Sequence, residues 1–167
     1  MIDIAIRHKE ELQELFLGTW YNEKYKFYNM SSYNGIFAVS DSSWDSHEFV
    51  SIDKNNNIIG YISYYIAREH ERISDLCVIN FTEDKLLFGR DIYQVFKDIF
   101  EKFNFRKISY SVIIGNPMER SYDRWTKKYG GQIIGIEREH IKLMDNKYYD
   151  VKKYELFRDD YLKSKYL

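Results

Sequence analysis

One stretch constrains the fold more than any other, and it runs from Ile73 to Phe103. Its beginning, up to Ile79, is apolar and rich in branched side chains, which indicates a buried strand. A polar loop follows and is predicted to end at Gly89. The remainder places apolar residues on one helical face, and these are Phe88, Ile92, Val95, Phe96, Ile99, Phe100 and Phe103. The stretch therefore predicts a strand, a loop and an amphipathic helix.

This order of elements suits a bound anion. The backbone N–H groups in the first turn of a helix have no partner inside the helix, and the helix dipole favours negative charge at that end. A helix that begins directly after a central strand aims those groups at one point. Arg90 lies in the predicted first turn and adds a positive charge. The start of this helix is therefore a predicted site for a phosphate-like group.

Composition narrows the classes of function. A chain of 167 residues, 44% hydrophobic and 31% charged, predicts one soluble domain over residues 1–167 with a sizeable core. The net charge of -1 argues against nucleic acid as the main partner. The lone cysteine, Cys77, excludes internal disulfides and a cysteine metal cluster, and the four histidines lack the spacing of metal ligands. With neither a signal segment nor an apolar span, we expect a cytoplasmic protein without a membrane partner.

Periodicity and turn residues predict the remaining elements. Strands are predicted at Ile2–Ile6, Glu48–Asp53, Ile58–Ile66, Arg72–Ile79, Lys107–Ile114, Gln132–Leu143 and Tyr148–Phe157. Helical segments are predicted at Lys9–Trp20, irregularly within Tyr21–Tyr33, in the amphipathic stretch and after Asn116, with a loop at 34–46 and a short helix in the tail. We therefore predict an α/β (α+β) fold. Its central sheet would be mixed and mostly antiparallel, with about six to seven strands and helices on both faces.

The helix after the fifth predicted strand has its own start and stop signals. Asn116 suits the N-cap, Pro117 the first helical position and Glu119 the third, which together form a capping box. Gly130-Gly131 ends the helix through a left-handed residue. The predicted buried stripe comprises Met118, Tyr122, Trp125 and Tyr129.

This order of elements resembles the Gcn5-related N-acetyltransferase family over nearly the whole chain. The resemblance is strongest from Arg72 to Phe157, and it includes Asn116, Lys-Tyr-Gly-Gly at 128–131 and the end strand Tyr-Tyr-Asp-Val-Lys-Lys-Tyr-Glu-Leu. Family members carry an acyl-CoA loop of the form Gln/Arg-x-x-Gly-x-Gly/Ala. Here Asp84 stands at the Gln/Arg position, Leu87 at the first glycine, and Gly89 keeps the second. A leucine with positive φ would be strained, so we predict a negative φ at Leu87 and a side chain that packs.

The resemblance implies an acetyl-CoA co-substrate and no metal. Backbone groups of Cys77, Val78 and Ile79 would pair with the amide arm of CoA, and the Val78 N–H would stabilise the developing oxyanion. The pyrophosphate would sit on the N–H groups of Lys85, Leu86, Leu87, Phe88, Gly89 and Arg90. Asn116 would lie near the thioester. An amine would attack the acetyl group, a step that needs a base and an acid.

The residues that could serve as acid and base could also have purely structural roles. Asp75 and Glu69 are candidate bases, yet Asp75 also reads as a polar residue on a strand face. Tyr122 is a candidate acid, but it belongs to the predicted core stripe, and the usual family tyrosine would fall at Thr126. Cys77 reads as a small buried residue rather than a nucleophile.

Two functions from different classes are compatible with these residues. The first is an N-acetyltransferase acting on a primary amine of a small molecule or protein, and the second is an inactive acyl-CoA-binding module that acts as a sensor or partner-binding protein. A third, weaker reading is another α/β protein that binds a different phosphate ligand. The resemblance implies an acceptor pocket shaped by Trp20–Tyr33 and the stretch around Asp145, with Glu23, Asp45 and Glu48 able to suit a cationic amine. A homodimer is compatible with the sequence.

Overall fold

The computed structural model describes residues 1–28 and 37–165, and all structural statements refer to these residues. They contain seven strands: β1 (Ile2–Ile4), β2 (Ser46–Ile52), β3 (Ile58–Ala67), β4 (Arg72–Asn80), β5 (Lys107–Ile113), β6 (Gln132–Lys142) and β7 (Tyr148–Phe157). They also contain four α-helices: α1 (Lys9–Leu17), α2 (Lys85–Glu101), α3 (Glu119–Lys128) and α4 (Arg158–Lys165). Short 3-10 helices lie at Ala5–His8, Glu23–Tyr25 and Arg68–His70.

The seven strands form one mixed sheet in the order β1-β2-β3-β4-β5-β7-β6. β4 and β5 pair in parallel, whereas β1 with β2, β2 with β3, β5 with β7 and β6 with β7 pair antiparallel. The parallel pair is joined by a crossover that contains α2, as parallel neighbours require. The prediction of a mixed, mostly antiparallel sheet is confirmed.

The chain divides into two compact units. One comprises Met1–Ile66 and Cys77–Lys97, and the other comprises Ala67–Leu76 and Asp98–Leu167. The first unit contains β1, β2, nearly all of β3, the end of β4 and most of α2. The second contains the start of β4, then β5, β6, β7, α3 and α4. The single domain over residues 1–167 stays a prediction.

Aromatic side chains form the centre of the first unit. The rings of Phe16 and Phe37 stack with centroids 3.6 Å apart, and the Tyr61 ring stands edge-on to each at 5.3 Å. Such edge-to-face pairs add to the free energy gained from burial alone. Phe81 also lies edge-on to Phe16, at 5.4 Å. The aromatic-rich composition therefore serves packing in this unit.

Gly60, in β3, is required by close packing. A Cβ added there would lie 2.4 Å from the Phe88 ring and 2.6 Å from the Ile79 carbonyl oxygen. Phe88 is 4% exposed and Ile79 1% exposed, so neither has room to move. The absence of a side chain at Gly60 thus lets α2 lie directly against the sheet backbone.

The second unit has its own aromatic core. Tyr110 of β5 and Tyr154 of β7 stack with centroids 5.0 Å apart, and Tyr161 of α4 stacks on Phe100 at 4.9 Å. Tyr154 and Tyr161 are fully or almost fully buried. Their hydroxyl groups still find acceptors, since Tyr161 donates to Glu101 at 2.9 Å. Tyrosine is suited to this position because its ring is apolar while its hydroxyl needs a partner.

Several boundaries differ from the sequence prediction for local reasons. β1 ends at Ile4 rather than Ile6, and the Asp3 carboxylate accepts the Ile4 N–H at 2.8 Å, which competes with the strand ladder. α1 ends at Leu17 rather than Trp20, because Gly18 follows and the Thr19 hydroxyl donates to the Phe16 carbonyl at 2.7 Å. The predicted irregular helix at Tyr21–Tyr33 is a 3-10 turn at Glu23–Tyr25, and its residues from 29 onward lie outside the described part.

β6 is a long edge strand with little cover. All but one of its residues are exposed, including Ile133, Ile134 and Ile136, each more than half accessible. Its register with β7 shifts between Ile133 and Gly135 and again between Glu137 and Ile141. Glu139 has a φ of +48°, as expected of a bulged strand. The predicted strand is present, but its exposure was not anticipated.

Candidate functional site

β4 contains a break in regular strand geometry. It pairs with β5 at Arg72 and Ile73, and Asp75 then takes a φ of +52°. A left-handed residue inside a strand is typical of a β-bulge, which bends the strand and redirects its later residues. Asp75 itself is exposed and accepts a hydrogen bond from the Ser74 hydroxyl at 3.1 Å. The bulge is a structural reason for an aspartate here, since aspartate tolerates this conformation better than most residues.

The residues predicted to bind the amide arm come directly after this break. Cys77 and Val78 are half-buried and Ile79 is buried in the core of the first unit. Burial raises the pKa of the Cys77 thiol to about 11, a hydrogen bond with Ser63 lowers it in part, and the nearby Glu48 charge raises it further. At neutral pH the thiol therefore stays protonated, which agrees with the reading of Cys77 as a packing residue.

A chain of short-range hydrogen bonds orders the loop before α2. The Asn80 carbonyl oxygen, Oδ1, accepts the Thr82 N–H at 2.9 Å, and the Thr82 hydroxyl oxygen accepts the Asp84 N–H at 3.2 Å. The Asp84 carboxylate then accepts the Leu87 N–H at 2.9 Å. Asp84 directly precedes the first helical residue, Lys85, so it is the N-cap of α2. An aspartate before a helical run was the signal in the sequence that could have revealed this cap.

The cap changes the predicted phosphate site. α2 begins at Lys85, so the predicted loop end at Gly89 is wrong and Gly89 lies inside the helix. Gly89 and Arg90 come after the first four helical residues, so their N–H groups belong to the regular ladder. Leu87 donates to Asp84, and the Lys85 N–H donates to the Glu83 carbonyl at 2.9 Å. The Phe88 N–H forms the first bond of the helix, to the carbonyl of the Asp84 cap, so in the first turn the Leu86 N–H is left for a ligand.

Leu87 and Gly89 can be compared with their expected conformations. Neither has a positive φ, so the prediction of a negative φ at Leu87 is confirmed. The Leu87 side chain is half-buried, in agreement with packing. A Cβ added at Gly89 would meet nothing within 4 Å. Within the protein itself, therefore, neither backbone conformation nor packing requires a glycine at this position.

Asn116 lies at the start of the turn that leads into α3. It is 9% exposed, and its Oδ1 accepts the Met118 N–H at 2.9 Å. The Glu119 carboxylate reaches back to the N–H of Gly115 at 3.0 Å, rather than to that of Asn116. Regular α-helix begins at Glu119, so Asn116 caps the preceding turn. In the predicted capping box the Glu119 carboxylate would accept the N–H of Asn116, whereas in the structure it accepts the N–H of the residue before it.

Tyr122 packs among aromatic rings of the second unit. Its ring stands edge-on to Tyr110 at 5.7 Å and to Tyr154 at 6.3 Å. Thr126, at the usual family tyrosine position, is 2% exposed and donates to the Tyr122 carbonyl at 2.6 Å. Its hydroxyl also lies 2.5 Å from the Tyr110 hydroxyl. These contacts fit the core-packing reading of Tyr122, while its predicted role as acid stays a prediction.

A charged network that sequence reasoning missed joins α3 to β7. The Lys152 ammonium group lies 2.5 Å from Glu119 and 3.1 Å from Asp123, and the Tyr154 hydroxyl donates to Asp123 at 2.7 Å. Burial alone would lower the pKa of Lys152, but its hydrogen bonds to Glu119 and Asp123 raise it. The Gly115 N–H and Lys152 lower the pKa of Glu119. Lys152 and Glu119 are therefore both charged at neutral pH.

The other predicted base, Glu69, lies in the 3-10 helix before β4. Its side chain is 72% exposed and lies 3.5 Å from His70. It lines a surface depression of about 630 Å³ together with basic residues that include Arg72 and Arg106. Glu69 therefore lacks the enclosed surroundings that are typical of a catalytic base.

The predicted site residues fall into two groups. The first unit contains Cys77, Val78 and Ile79 together with the start of α2 from Lys85 to Arg90. The second contains Glu69, Asp75, Asn116 and Tyr122. In the part of the chain that the structure describes, three or more histidine, cysteine, aspartate or glutamate side chains never gather closely enough to hold a metal ion. None of the described helices is long and apolar enough to cross a membrane.

Comparisons with known proteins bear on the fold. No protein-family model matches the chain, and no curated protein does. Solved structures of spermidine N-acetyltransferase SpeG from Vibrio cholerae do match. Glutamate-to-glutamine mutant forms are 21% identical, with a TM-score of 0.62 over 74% of this chain and 70% of theirs. A chimera of this enzyme with hSSAT is 20% identical, with a TM-score of 0.60 over 92% and 82%.

A third match is the Vibrio cholerae enzyme in complex with manganese ions. It is 19% identical to this chain, with a TM-score of 0.59 over 92% of this chain and 77% of that one. At such identities, similarity establishes the fold and leaves the activity open. The chain thus has the α/β fold of the Gcn5-related N-acetyltransferases, as the order of its elements predicted.

Proposed function

We propose that this protein is an N-acetyltransferase that moves an acetyl group from acetyl-CoA to a primary amine, and that the amine belongs to a small molecule. The observation that carries the proposal is the arrangement of β4, its left-handed Asp75 and the capped start of α2 within a sheet similar to those of solved acetyltransferases. Spermidine, named for the similar enzymes, is the first acceptor to test.

The first turn of α2 has features that fit an anionic ligand. Lys85 and Arg90 are exposed and positively charged, and the N–H group of Leu86 lies in the first helical turn. The open space beside Gly89 would let a phosphate approach the helix closely. The Asp84 carboxylate opposes this, because it takes one donor and carries a negative charge. We propose that the remaining groups hold the pyrophosphate of CoA.

Acetyl-CoA would supply an activated thioester. Backbone groups of Cys77, Val78 and Ile79 would hold its amide arm, with the Val78 N–H as the donor to the reacting carbonyl oxygen. Asn116 would lie near the thioester, held in place by its bond with the Met118 N–H. We retain Asp75 as the proposed base and Tyr122 as the proposed acid, although both have structural roles.

We also propose that the protein forms a homodimer through β6. Within residues 1–28 and 37–165, no further strand pairs with the outer edge of β6, which exposes Ile133, Ile134 and Ile136. An edge of this length and apolarity favours pairing with another strand. In a two-fold dimer the same strand of a second copy would complete it.

The test combines binding with turnover. Saturating acetyl-CoA should raise the melting temperature, because a ligand that binds the native state stabilises it. Release of free CoA thiol should then depend on an added amine, with spermidine, aminoglycosides, amino acids and N-terminal peptides as the panel. Binding without thiol release from any amine would support the inactive acyl-CoA-binding module instead. An unchanged melting temperature would contradict both.

Asn116 offers a further check on this proposal. Asn116→Ala should lower the free energy of unfolding by roughly 1 kcal/mol through the lost cap. If Asn116 also faces the thioester, turnover of the folded variant should fall further than this loss of stability explains. Full activity in folded Asn116→Ala protein would leave the residue a structural role only.

A further inference from the structure

The buried side chain of Asn116 has a donor group without a partner. Its Oδ1 accepts the Met118 N–H at 2.9 Å, while its backbone N–H donates to the Ile113 carbonyl at 3.0 Å and its backbone carbonyl accepts the Glu119 N–H at 2.9 Å. The side-chain NH2 group donates to no group in the part of the chain that the structure describes, although Asn116 is only 9% exposed. Buried donors are almost always hydrogen-bonded. A ligand that accepts this bond would satisfy the NH2 group.

The direction of the NH2 group depends on the turn between β5 and α3. The ladder between β5 and β7 ends at Ile114, whose N–H donates to the Asp150 carbonyl at 2.9 Å. Gly115 follows with a φ of +94°, a conformation that glycine adopts readily. The hydrogen bonds of Asn116 itself reach only residues within three positions of it. These bonds define the shape of the turn, and its orientation on the sheet depends on further contacts.

Glu119 provides such a contact. One of its carboxylate oxygens, Oε2, accepts the Gly115 N–H at 3.0 Å, and the other, Oε1, lies 2.5 Å from the Lys152 ammonium group. Lys152 belongs to β7 and its side chain is 12% exposed, so solvent ions screen this pair less than a surface pair. Glu119 therefore bridges the residue before Asn116 to β7, with one oxygen for each partner.

Asp123 has part of the same surroundings but lacks the bond to the turn. It lies one helical turn after Glu119, and each of its carboxylate oxygens accepts from Lys152 at 3.1 Å. Its Oδ1 also accepts the Tyr154 hydroxyl at 2.7 Å. None of the hydrogen bonds that the structure gives this carboxylate reaches residues 113–118. The two carboxylates thus share a helix and a cation, and Glu119 is the one that contacts the turn of Asn116.

We propose that Glu119 is a positioning residue, which holds Asn116 so that its NH2 group meets an acceptor on the acyl arm of acetyl-CoA. Lys152 acts through Glu119 in this arrangement. The inference rests on the proposed acetyltransferase function, in which Asn116 lies near the thioester. A donor that is held in place before the reaction needs no reorganisation during it. A displacement of about 1 Å can cost roughly 100-fold in rate.

The test compares Glu119→Gln with Asp123→Asn, each of which removes one negative charge beside Lys152. Glutamine has a single side-chain oxygen, so it cannot serve both Gly115 and Lys152. Asparagine keeps Oδ1, which in wild type accepts from both Lys152 and Tyr154. At saturating acetyl-CoA and amine, Glu119→Gln should lower kcat roughly 10-fold, whereas Asp123→Asn should keep the wild-type kcat.

The same substitution in an Asn116→Ala background shows whether Glu119 acts through Asn116. If it does, Glu119→Gln should not lower kcat further in the Asn116→Ala protein, because the effects of residues that act as a unit do not add. Independent effects in the double variant would overturn the proposal. A wild-type kcat in Glu119→Gln, or equal losses in Glu119→Gln and Asp123→Asn, would also overturn it.

Amide hydrogen exchange tests the positioning without turnover. The Met118 N–H donates to Asn116 Oδ1, so its exchange rate reports on the position of that side chain. Exchange at Met118 should be faster in Glu119→Gln than in wild type and unchanged in Asp123→Asn. If wild type releases no CoA thiol with any amine, the proposed function fails. Equal exchange rates in the three proteins would refute the positioning role itself.

Discussion

The structural role of Asp84 conflicts with the ligand that we propose for the start of α2. Its carboxylate caps α2 by accepting the Leu87 N–H, and the same charge lies where we propose that a pyrophosphate binds. A helix cap and a bound phosphate compete for the same N–H groups. In this chain, acyl-CoA binding would therefore have to displace the cap or leave Leu87 unused.

Two substitutions separate these roles. Asp84→Ala removes cap and charge, and it should lower the free energy of unfolding by roughly 1 kcal/mol. Asp84→Asn keeps a good cap, so its stability should stay within a few tenths of a kcal/mol of wild type, while acetyl-CoA should bind several-fold more tightly. Urea unfolding and calorimetric titration measure the two effects. Weaker acetyl-CoA binding by Asp84→Asn would mean that the carboxylate does not oppose the ligand.

Two glycines of the first unit should respond to alanine in opposite directions. Gly89→Ala places a methyl group in open space inside a helix, so it should raise the free energy of unfolding by up to about 1 kcal/mol. If phosphate lies against Gly89, the same methyl group should weaken acetyl-CoA binding. Gly60→Ala should destabilise by roughly 2 kcal/mol or more, because its methyl group would overlap Phe88 and the Ile79 carbonyl.

Melting curves without and with acetyl-CoA would check both glycine predictions. Stabilisation of Gly89→Ala together with unchanged acetyl-CoA affinity would place the phosphate away from this residue. If Gly60→Ala were as stable as wild type, the contact between Phe88 and β3 would not be as close as the structure gives it.

At the scale of elements, the Lys152 network fixes α3 against β7. Lys152→Met leaves Glu119 and Asp123 near each other without a cation, so we expect a loss of roughly 2 kcal/mol in the free energy of unfolding. Lys165→Met breaks a more exposed ion pair with Glu101 and should cost less than about 1 kcal/mol. Equal losses would show that the network is no stronger than a surface pair.

The loss of unfolding free energy caused by Lys152→Met should depend on pH in a definite direction. The pKa of Glu119 is lowered from 4.5, mainly by the Gly115 N–H and then by Lys152, so its contribution is present above pH 4.5 and is lost as pH falls through the lowered pKa. The difference in unfolding free energy between wild type and Lys152→Met should therefore narrow below pH 4.5. Urea unfolding between pH 3 and pH 7 would measure it, and a constant difference would contradict the assignment.

Prediction from sequence succeeded where one pattern determined an element. The hairpin of β2 and β3 is expected from alternation around Asn56, which has a φ of +65°, and Gly130, with a φ of +74°, follows the end of α3 at Lys128. It failed where a side chain overrides the pattern. With Asp84 as its cap, α2 begins at Lys85, four residues before the predicted loop end at Gly89. No periodicity marks the contact between Lys152 and α3, which depends on residues distant in sequence.

At the scale of the whole molecule, the sheet ends with the short strand β1 on one side and the long strand β6 on the other. β6 exposes Ile134 and Ile136 on a free edge, so Ile134→Lys together with Ile136→Lys should yield a monomer where wild type is a dimer. Sedimentation velocity over a range of concentrations would measure this. A monomeric wild type would refute the proposed dimer, and an unchanged dimer in the variant would place its interface elsewhere.

The free edge of β6 also leaves a signature in the exchange of backbone amides with deuterium. Between Gly135 and Glu137 the pairing with β7 is regular, so alternate amides point toward β7 and the others point outward. In a monomer, the outward amides exchange within the dead time of the experiment while their neighbours are protected. In a dimer paired through β6, those outward amides that bond to the second copy would also be protected from exchange. The set of newly protected amides would then give the register of the dimer without a structure of the complex.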